Sequence, residues 1–229
     1  VASVCREVTV RLAAGEDVHV IGSPAYVERV LGPPRYLPEE VERRPQAGVT
    51  AGLAWTPSGG DVLYVEARRM PGKGRVHLTG QMGDVMKESV ATAFTYVRAH
   101  AEELGLPEDF LTKVEVHVHL PNGAVPKDGP SAGITVFTAL ASMFTRLKVR
   151  SDVAMTGEIT LRGNVLRVGG IKEKLLAAHR AGMKRILLPK MNEPDLDEVP
   201  KEIRESLGIC LVSKASEVLP LALADVASA

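Results

Sequence analysis

Cysteine is nearly absent from this sequence, and so is any excess of charge of one sign. Only Cys5 and Cys210 occur among the 229 residues, near opposite ends of the chain, which excludes a disulfide framework. We expect two buried free thiols in a reducing compartment rather than one bridge between them. The 28 basic and 28 acidic residues leave no net charge. This balance argues against a chain whose main task is to hold nucleic acid or a membrane surface.

Long apolar runs and the common metal-binding motifs are also missing. No stretch approaches the roughly 20 apolar residues that span a bilayer, and the N-terminus lacks the charged-then-apolar order of a signal peptide. Neither HExxH nor CxxC spacing occurs, so we expect no metal site. The chain begins within a helical pattern formed by Val4, Val8 and Leu12. Because no persuasive capping residue precedes this pattern, we expect a fragment of a longer chain.

The length fits one large domain, or one domain with a small appendage. Apolar residues make up 45% of the sequence and charged residues 24%, which is typical of a soluble globular protein. Residues 1–45 predict a helix, a short strand over 18–21 and a second helix that begins at Ser23-Pro24. Gly32-Pro33-Pro34 ends that helix, and the charged run 39–44 predicts a solvated connector.

The rest of the chain alternates strand and helix patterns. The predicted strands cover 49–55, 61–69, 75–79, 114–120, 153–156, 185–189 and 209–213, and a short hairpin covers 158–167. The predicted helices cover 82–103, 131–144, 171–181 with Gly182 as the closing residue, and a final stretch from Ser216. This order predicts an α/β (α+β) fold with mixed sheets, flanking helices and a small helical N-terminal appendage.

The most informative segment is PKDGPSAG, residues 126–133. Its two glycines and two prolines impose an unusual backbone, and Ser131 stands where a predicted helix begins. A helix N-terminus carries unpaired N–H groups and a partial positive charge, which could hold the oxyanion of an acyl-transfer reaction. A plain N-capping serine after a glycine-rich turn gives the same pattern. Without a base, both interpretations stay open.

Histidine is the first candidate for that base. His117 and His119 alternate on one predicted strand and therefore face the same side. Either could form a Ser–His–Asp set with Asp128 or Asp152. Histidines in such positions more often pack or form structural hydrogen bonds.

Lysine is the second candidate. In the run Lys172-Glu173-Lys174, the spacing from Ile171 places Lys174 on the apolar face of its helix, with only a modest preference over Lys172. A lysine acts as a base only when it is neutral, and burial beside a helix N-terminus lowers its pKa in that direction. A solvated surface lysine is the competing interpretation.

Three motifs together resemble a known family. PKDGPSAG, TGEITLRG and GGIKEKLLAAHRAG are similar to the proteolytic domain of Lon proteases of the A type, as are GLAWTPSGGDVLYVEA and PGKGRVHLTGQMGDVMKESV. The similarity runs from about Gly48 to the end. It implies a Lon protease domain fold for residues 46–229. It also implies a serine endopeptidase that hydrolyses peptide bonds of unfolded or damaged proteins through an acyl-enzyme.

The resemblance also assigns roles to individual residues. Ser131 matches the family's nucleophile and Lys174 its base, 43 residues apart, and Thr156 matches the threonine that orients the lysine. Asp128 and Glu158 are expected to shape the site. Backbone N–H groups around Gly129, Pro130 and Ala132 are expected to stabilise the oxyanion. The two strand histidines are interpreted as structural support, and no metal is expected.

Residues 1–45 resemble the closing helices of the small AAA+ subdomain, with a linker, that precedes the protease in this family. No GxxxxGK[ST] loop occurs, so we expect no cofactor for this chain, and ATP with Mg²⁺ for the full-length protein. The resemblance implies unfolded polypeptide substrates and a homo-hexamer with an enclosed chamber. DNA would bind only through missing regions, and no membrane is involved. A bacterial cytoplasm is the expected location, with a mitochondrial matrix as the alternative.

Two other functions compete with this one. A small-molecule kinase of the GHMP type also has a glycine–serine loop before a helix, but the acidic and glycine pattern matches poorly and a second phosphate-binding loop is missing. A catalytically inactive Lon-like assembly or binding domain, as in the DNA-repair ATPase RadA, lacks the serine–lysine pair that this sequence retains.

Overall fold

A computed structural model describes residues 2–19, 23–33, 45–56, 59–107, 109–121 and 127–224. The chain divides into two compact units, Val1–Glu42 and Arg43–Ala229. The first contains α1 (Ala2–Ala13) and α2 (Pro24–Leu31). The Ser23 Oγ accepts the Tyr26 N–H at 3.2 Å and caps α2, as predicted. Residues 18 and 19 are not in a strand, which contradicts that part of the prediction. The rest of that strand and the connector 39–44 lie outside the described residues.

The second unit is built on a mixed seven-stranded sheet, which confirms the predicted fold class. The strands, in spatial order, are β3 (Val76–Thr79), β4 (Val114–His119), β2 (Gly59–Pro71), β1 (Val49–Thr56), β5 (Val153–Met155), β8 (Arg185–Pro189) and β9 (Gly208–Val212). The pairs β1–β2 and β2–β4 are antiparallel, and the other neighbours are parallel. A separate hairpin joins β6 (Glu158–Ile159) to β7 (Val165–Leu166).

Helices cover both faces of this sheet. They are α3 (Asp84–Ala99), α4 (Gly133–Thr145), α5 (Ile171–Arg180), α6 (Lys201–Ser206) and α7 (Val218–Ala222). One buried cluster joins α3 and α4 to β2 and β4, and a second joins α5 to β1, β5 and β8. Ala51 and Leu53 of β1 belong to the α5 side, whereas a Cβ on Gly52 would lie 2.9 Å from Thr135 on α4. Alternate residues of β1 therefore serve opposite cores.

Several element boundaries differ from the sequence prediction. Helix α3 starts at Asp84 rather than at Met82 and ends at Ala99. Met82 instead forms a bridge with Lys127, because the chain before α3 pairs with the serine loop. The 3₁₀ segment Lys190–Glu198 and α6 were missed, since short irregular helices leave no clear periodicity.

Both cysteines are free, as expected, but they are not buried. Cys5 is exposed and Cys210 is partly exposed, so the expectation of two buried thiols is wrong. None of the helices in the described part of the chain has the length and apolar character that crossing a membrane requires.

Thr50 on β1 offers a test of the core. Its side chain is 1% exposed, and its hydroxyl has no hydrogen-bond partner among the described residues. Valine has nearly the same shape without the hydroxyl, so Thr50→Val is expected to raise the free energy of unfolding by about 1 kcal/mol. Urea unfolding of both proteins measures this change. Thr138→Val is the control, because the Thr138 hydroxyl donates to the Ile134 carbonyl at 2.8 Å and its loss should not stabilise. A less stable Thr50→Val variant contradicts the prediction.

Candidate active site

The loop before Ser131 is fixed to the start of α3. The N-cap of α3 is Gly83, which has no side chain to cap the helix. The Asp128 Oδ1 takes over this role and accepts the N–H groups of Met86 at 2.9 Å and Gly129 at 3.0 Å. A Cβ on residue 83 would come within 2.3 Å of the Asp128 Cγ, so glycine is needed there. Asp128 therefore fixes the loop to the start of α3 through these two hydrogen bonds.

A second hydrogen bond holds the same loop. The Ser89 hydroxyl on α3 donates to the Pro130 carbonyl at 3.3 Å, and Ser89 is 8% exposed. The sequence analysis did not identify Ser89 as a site residue. A hydroxyl on an otherwise apolar face is the signal that could have indicated this contact.

Ser131 lies in a 3₁₀ turn, Pro130–Ala132, rather than in the first turn of an α-helix. Helix α4 begins after it, and its N-cap position is Ala132, with no side-chain cap. The simple N-capping role considered for Ser131 therefore does not apply. The described residues offer no hydrogen bond to the Ser131 Oγ, and the side chain is partly exposed. The hydroxyl is thus available to a bound molecule.

The serine motif and the TGE motif are joined through their backbones. The Gly157 N–H donates to the Ser131 carbonyl at 2.8 Å, and the Ile134 N–H donates to the Gly157 carbonyl at 3.0 Å. A Cβ on Gly133 would come within 2.6 Å of the Ile159 nitrogen. Glycine at residue 133 therefore permits α4 to approach the chain that follows β5.

Lys174 is buried on the α5 face predicted from periodicity. It is 2% exposed, beside Ile171 and Leu175 on the same face, whereas Lys172 is exposed. Its Nζ donates to the Thr156 Oγ1 at 3.1 Å, and none of the described carboxylates forms an ion pair with it. Burial lowers the pKa of Lys174 to about 8. A substantial fraction of this lysine is therefore neutral at mildly alkaline pH.

The Thr156 hydroxyl connects the lysine to the serine. Thr156 is fully buried, and its Oγ1 donates to the Ser131 carbonyl at 3.2 Å. Because this bond uses the only hydroxyl proton, Thr156 must accept the hydrogen bond from the Lys174 Nζ. A neutral amine has two N–H groups and one lone pair. One N–H is directed to Thr156, which leaves the lone pair for another donor.

Among the described residues, the other carboxylates and histidines considered for the site form no hydrogen bond with Ser131, Thr156 or Lys174. Glu158 begins β6, and its carboxylate has no hydrogen bond or ion pair among the described residues. Asp152 forms two hydrogen bonds with Arg150. His117 and His119 both contact the Thr79 hydroxyl. The Ser–His–Asp alternative therefore has no histidine–aspartate pair, and the two histidines have the structural contacts expected of them.

No group of three or more His, Cys, Asp or Glu side chains within the described ranges could hold a metal ion. The chemistry available at the converging residues is that of a hydroxyl, a buried amine and the N–H groups of a helix start. This combination fits acyl transfer by a serine and a lysine.

Comparison with known proteins agrees with this chemistry. The family model of the Lon protease (S16) C-terminal proteolytic domain matches residues 22–225. The chain belongs to the Lon protease family. This is a serine peptidase family that acts on protein substrates, so the family resemblance and the enzyme class predicted from the sequence are confirmed.

Curated relatives carry the same family name. The chain is 52% identical to Lon protease 2 of Sorangium cellulosum over 97% of its length and 58% identical to Lon protease 1 of Thermus thermophilus over 90%. It is 53% identical to Lon protease of Anaeromyxobacter dehalogenans over 98%. The matched region covers 28%, 26% and 27% of these relatives, respectively. The chain thus spans about a quarter of the Lon proteases that it resembles.

Proposed function

We propose that this chain is the endopeptidase domain of an ATP-dependent Lon protease, with Ser131 as nucleophile and Lys174 as base. The observation that carries this proposal is the buried Lys174–Thr156 hydrogen bond, which joins the amine to the segment bearing Ser131. No carboxylate in the described part of the chain pairs with Lys174, and this supports the neutral form of the lysine. Burying an amine costs free energy. In the inactive assembly domain considered as an alternative, no catalytic role would explain why this cost is tolerated.

The reaction follows from these positions. Neutral Lys174 accepts the Ser131 hydroxyl proton while the Oγ bonds to the scissile carbonyl carbon. The resulting ammonium returns that proton to the leaving amine as the C–N bond breaks and the acyl-enzyme forms. Lys174 then takes a proton from water, which attacks the ester carbonyl. The proton returns to the Ser131 Oγ as the acid product leaves.

The tetrahedral intermediate needs N–H donors for its oxyanion. Of the expected positions, Pro130 has no N–H and the Gly129 N–H is bonded to Asp128. The N–H groups of Ser131 and Ala132, at the start of the 3₁₀ turn, are therefore the donors that we propose. Glu158 remains a proposed site-shaping carboxylate, since its position directly after Thr156-Gly157 is the only support for that role.

The remaining properties concern the whole protein and are proposals. Unfolded or damaged proteins as substrates, ATP and Mg²⁺ bound by a separate module, and a hexameric ring are proposed from the family resemblance alone, since the names of the relatives state only that they are Lon proteases. Those relatives come from bacteria, which favours a bacterial cytoplasm. The assignment of residues 1–45 to the AAA+ subdomain and of 46–229 to the peptidase remains a prediction.

A fluorophosphonate probe followed by peptide mass mapping tests the proposed function. Because the probe phosphonylates activated serine hydroxyls with loss of fluoride, we expect one labelled peptide, containing Ser131, with faster labelling at pH 9 than at pH 7. The Lys174→Met variant is the control and should label far more slowly. Labelling of a different serine, or equal labelling of the variant, contradicts the proposed pair. No labelling together with no cleavage of casein would favour the inactive assembly domain.

A further inference from the structure

Trp55 is a large aromatic side chain in an exposed position. It is the only tryptophan in the sequence, and 58% of it is exposed. It lies near the end of β1, whose Gly52 pairs in parallel with Met155 of β5. Thr156 follows Met155 directly, so β1 and β5 end at the same edge of the sheet. The exposed indole therefore lies on the side of the sheet where Lys174 and Thr156 meet.

Two close backbone approaches fix Trp55 against the start of α5. It pairs with Gly60 across the β1–β2 hairpin. A Cβ on Gly60 would lie 2.9 Å from the Lys174 nitrogen, and a Cβ on Gly170 would lie 2.9 Å from the Trp55 Cβ. The Arg180 guanidinium also donates to the Gly60 carbonyl at 2.9 Å. The tryptophan thus packs against the start of the helix that carries the proposed base.

The path from Trp55 to the Lys174 amine suits an extended peptide. Lys174 contacts the hairpin through its backbone and reaches Thr156, and through it the Ser131 carbonyl, with its Nζ. One lysine side chain and one cross-strand spacing together span on the order of 10 Å. An extended polypeptide covers this distance in about three residues.

We propose that Trp55 forms a subsite for an apolar side chain of the polypeptide substrate, about three residues from the scissile bond. This inference rests on the proposed function. An anchored aromatic ring offers a large contact area and loses little conformational entropy on binding. An extended substrate strand crossing the start of α5 would cover the exposed indole. The subsite would select leucine, phenylalanine and similar residues over small or charged ones.

The cleavage test uses a ten-residue casein segment with one mapped cleavage site. It is resynthesised with leucine or alanine at the third residue on each side of the cleaved bond. For wild type, leucine on one side should raise kcat/KM by about tenfold. Trp55→Ala should lower kcat/KM for the leucine peptide far more than for the alanine peptide and so remove this preference. Trp55→Phe should retain most of it. Met70→Ala is the matched control, because Met70 is an exposed apolar residue at the other end of β2.

Binding is measured separately in the Ser131→Ala variant. Because Trp55 is the sole tryptophan, its fluorescence should shift to shorter wavelength when the leucine peptide saturates the protein, and much less with the alanine peptide. An equal loss of kcat/KM for both peptides in Trp55→Ala would assign Trp55 a structural role and overturn the inference. Unchanged fluorescence, with peptide binding established by calorimetry, would also overturn it. A wild-type chain that labels no serine and cleaves nothing refutes the proposed function, whereas the fluorescence result still decides the subsite.

Discussion

The Ser131→Ala variant is expected to lose peptidase turnover by a factor of about 10³ or more, since removal of a serine nucleophile has effects of this size in other peptidases. Folding should be almost unaffected. Ser131 is partly exposed and its hydroxyl forms no hydrogen bond among the described residues, while its carbonyl keeps the bonds from Gly157 and Thr156. Cleavage of casein at pH 8 and thermal unfolding measure the two quantities.

A matched control for this variant is Ser89→Ala. It removes a hydroxyl that holds the Pro130 carbonyl but has no part in the proposed chemistry. We expect a loss of stability of about 1 kcal/mol and a much smaller loss of turnover. If purified Ser131→Ala cleaves casein at close to the wild-type rate, Ser131 is not the nucleophile.

The second large effect concerns the two lysines of the KEK run. Lys174→Met keeps most of the side-chain volume but removes the amine, so turnover should fall below detection. Lys174→Arg should be equally damaging, because a guanidinium does not lose its proton in the accessible pH range. Lys172→Ala should stay within about twofold of wild type, since Lys172 is exposed. Initial rates of casein cleavage, with circular dichroism to verify folding, provide the comparison.

The pH dependence of the wild type follows from the same lysine. Its burial lowers the pKa to about 8, so kcat/KM should rise tenfold per pH unit below that value and level off above it. An activity that is flat between pH 6 and 9 would contradict a titrating base in this range. If Lys172→Ala is inactive and Lys174→Met is active, Lys172 rather than Lys174 is the base.

The stability of the wild type should rise with pH, as its activity does, whereas removal of the Lys174 amine should abolish activity and raise stability. At pH 7 Lys174 is mostly charged in a buried position, and a fall in its pKa from 10.5 to about 8 corresponds to about 3 kcal/mol of destabilisation. Between these pH values the unfolded chain binds more protons than the folded one, so the free energy of unfolding rises with pH in this window. Lys174→Met should therefore be more stable than wild type at pH 7, by up to about 3 kcal/mol, and the difference should shrink towards pH 10.5.

Much of the fold could be predicted from local patterns. The strands of β1, β2 and β4 and the amphipathic face of α5 follow from alternation and helical spacing, because these periodicities record which side chains face a core. The same reasoning placed Lys174 on the buried face. The family motifs then supplied the expectation that Ser131 and Thr156 belong with it, although residue types and spacing alone had left a histidine base and a capping serine open.

The contacts that build the site depend on residues far apart in the chain. Asp128 caps α3 in place of Gly83, and Gly60 packs against the peptide group between Glu173 and Lys174. Neither contact has a local sequence signal, since a missing cap or a permissive glycine does not identify its partner. The sequence by itself determined the family and the order of the sheet strands and main helices, and it nominated the serine, threonine and lysine that we propose for the site. Only the tertiary structure decided that Thr156 bridges Ser131 and Lys174 and that Trp55 lies beside α5, because long-range packing sets those distances and the burial that lowers the pKa of Lys174.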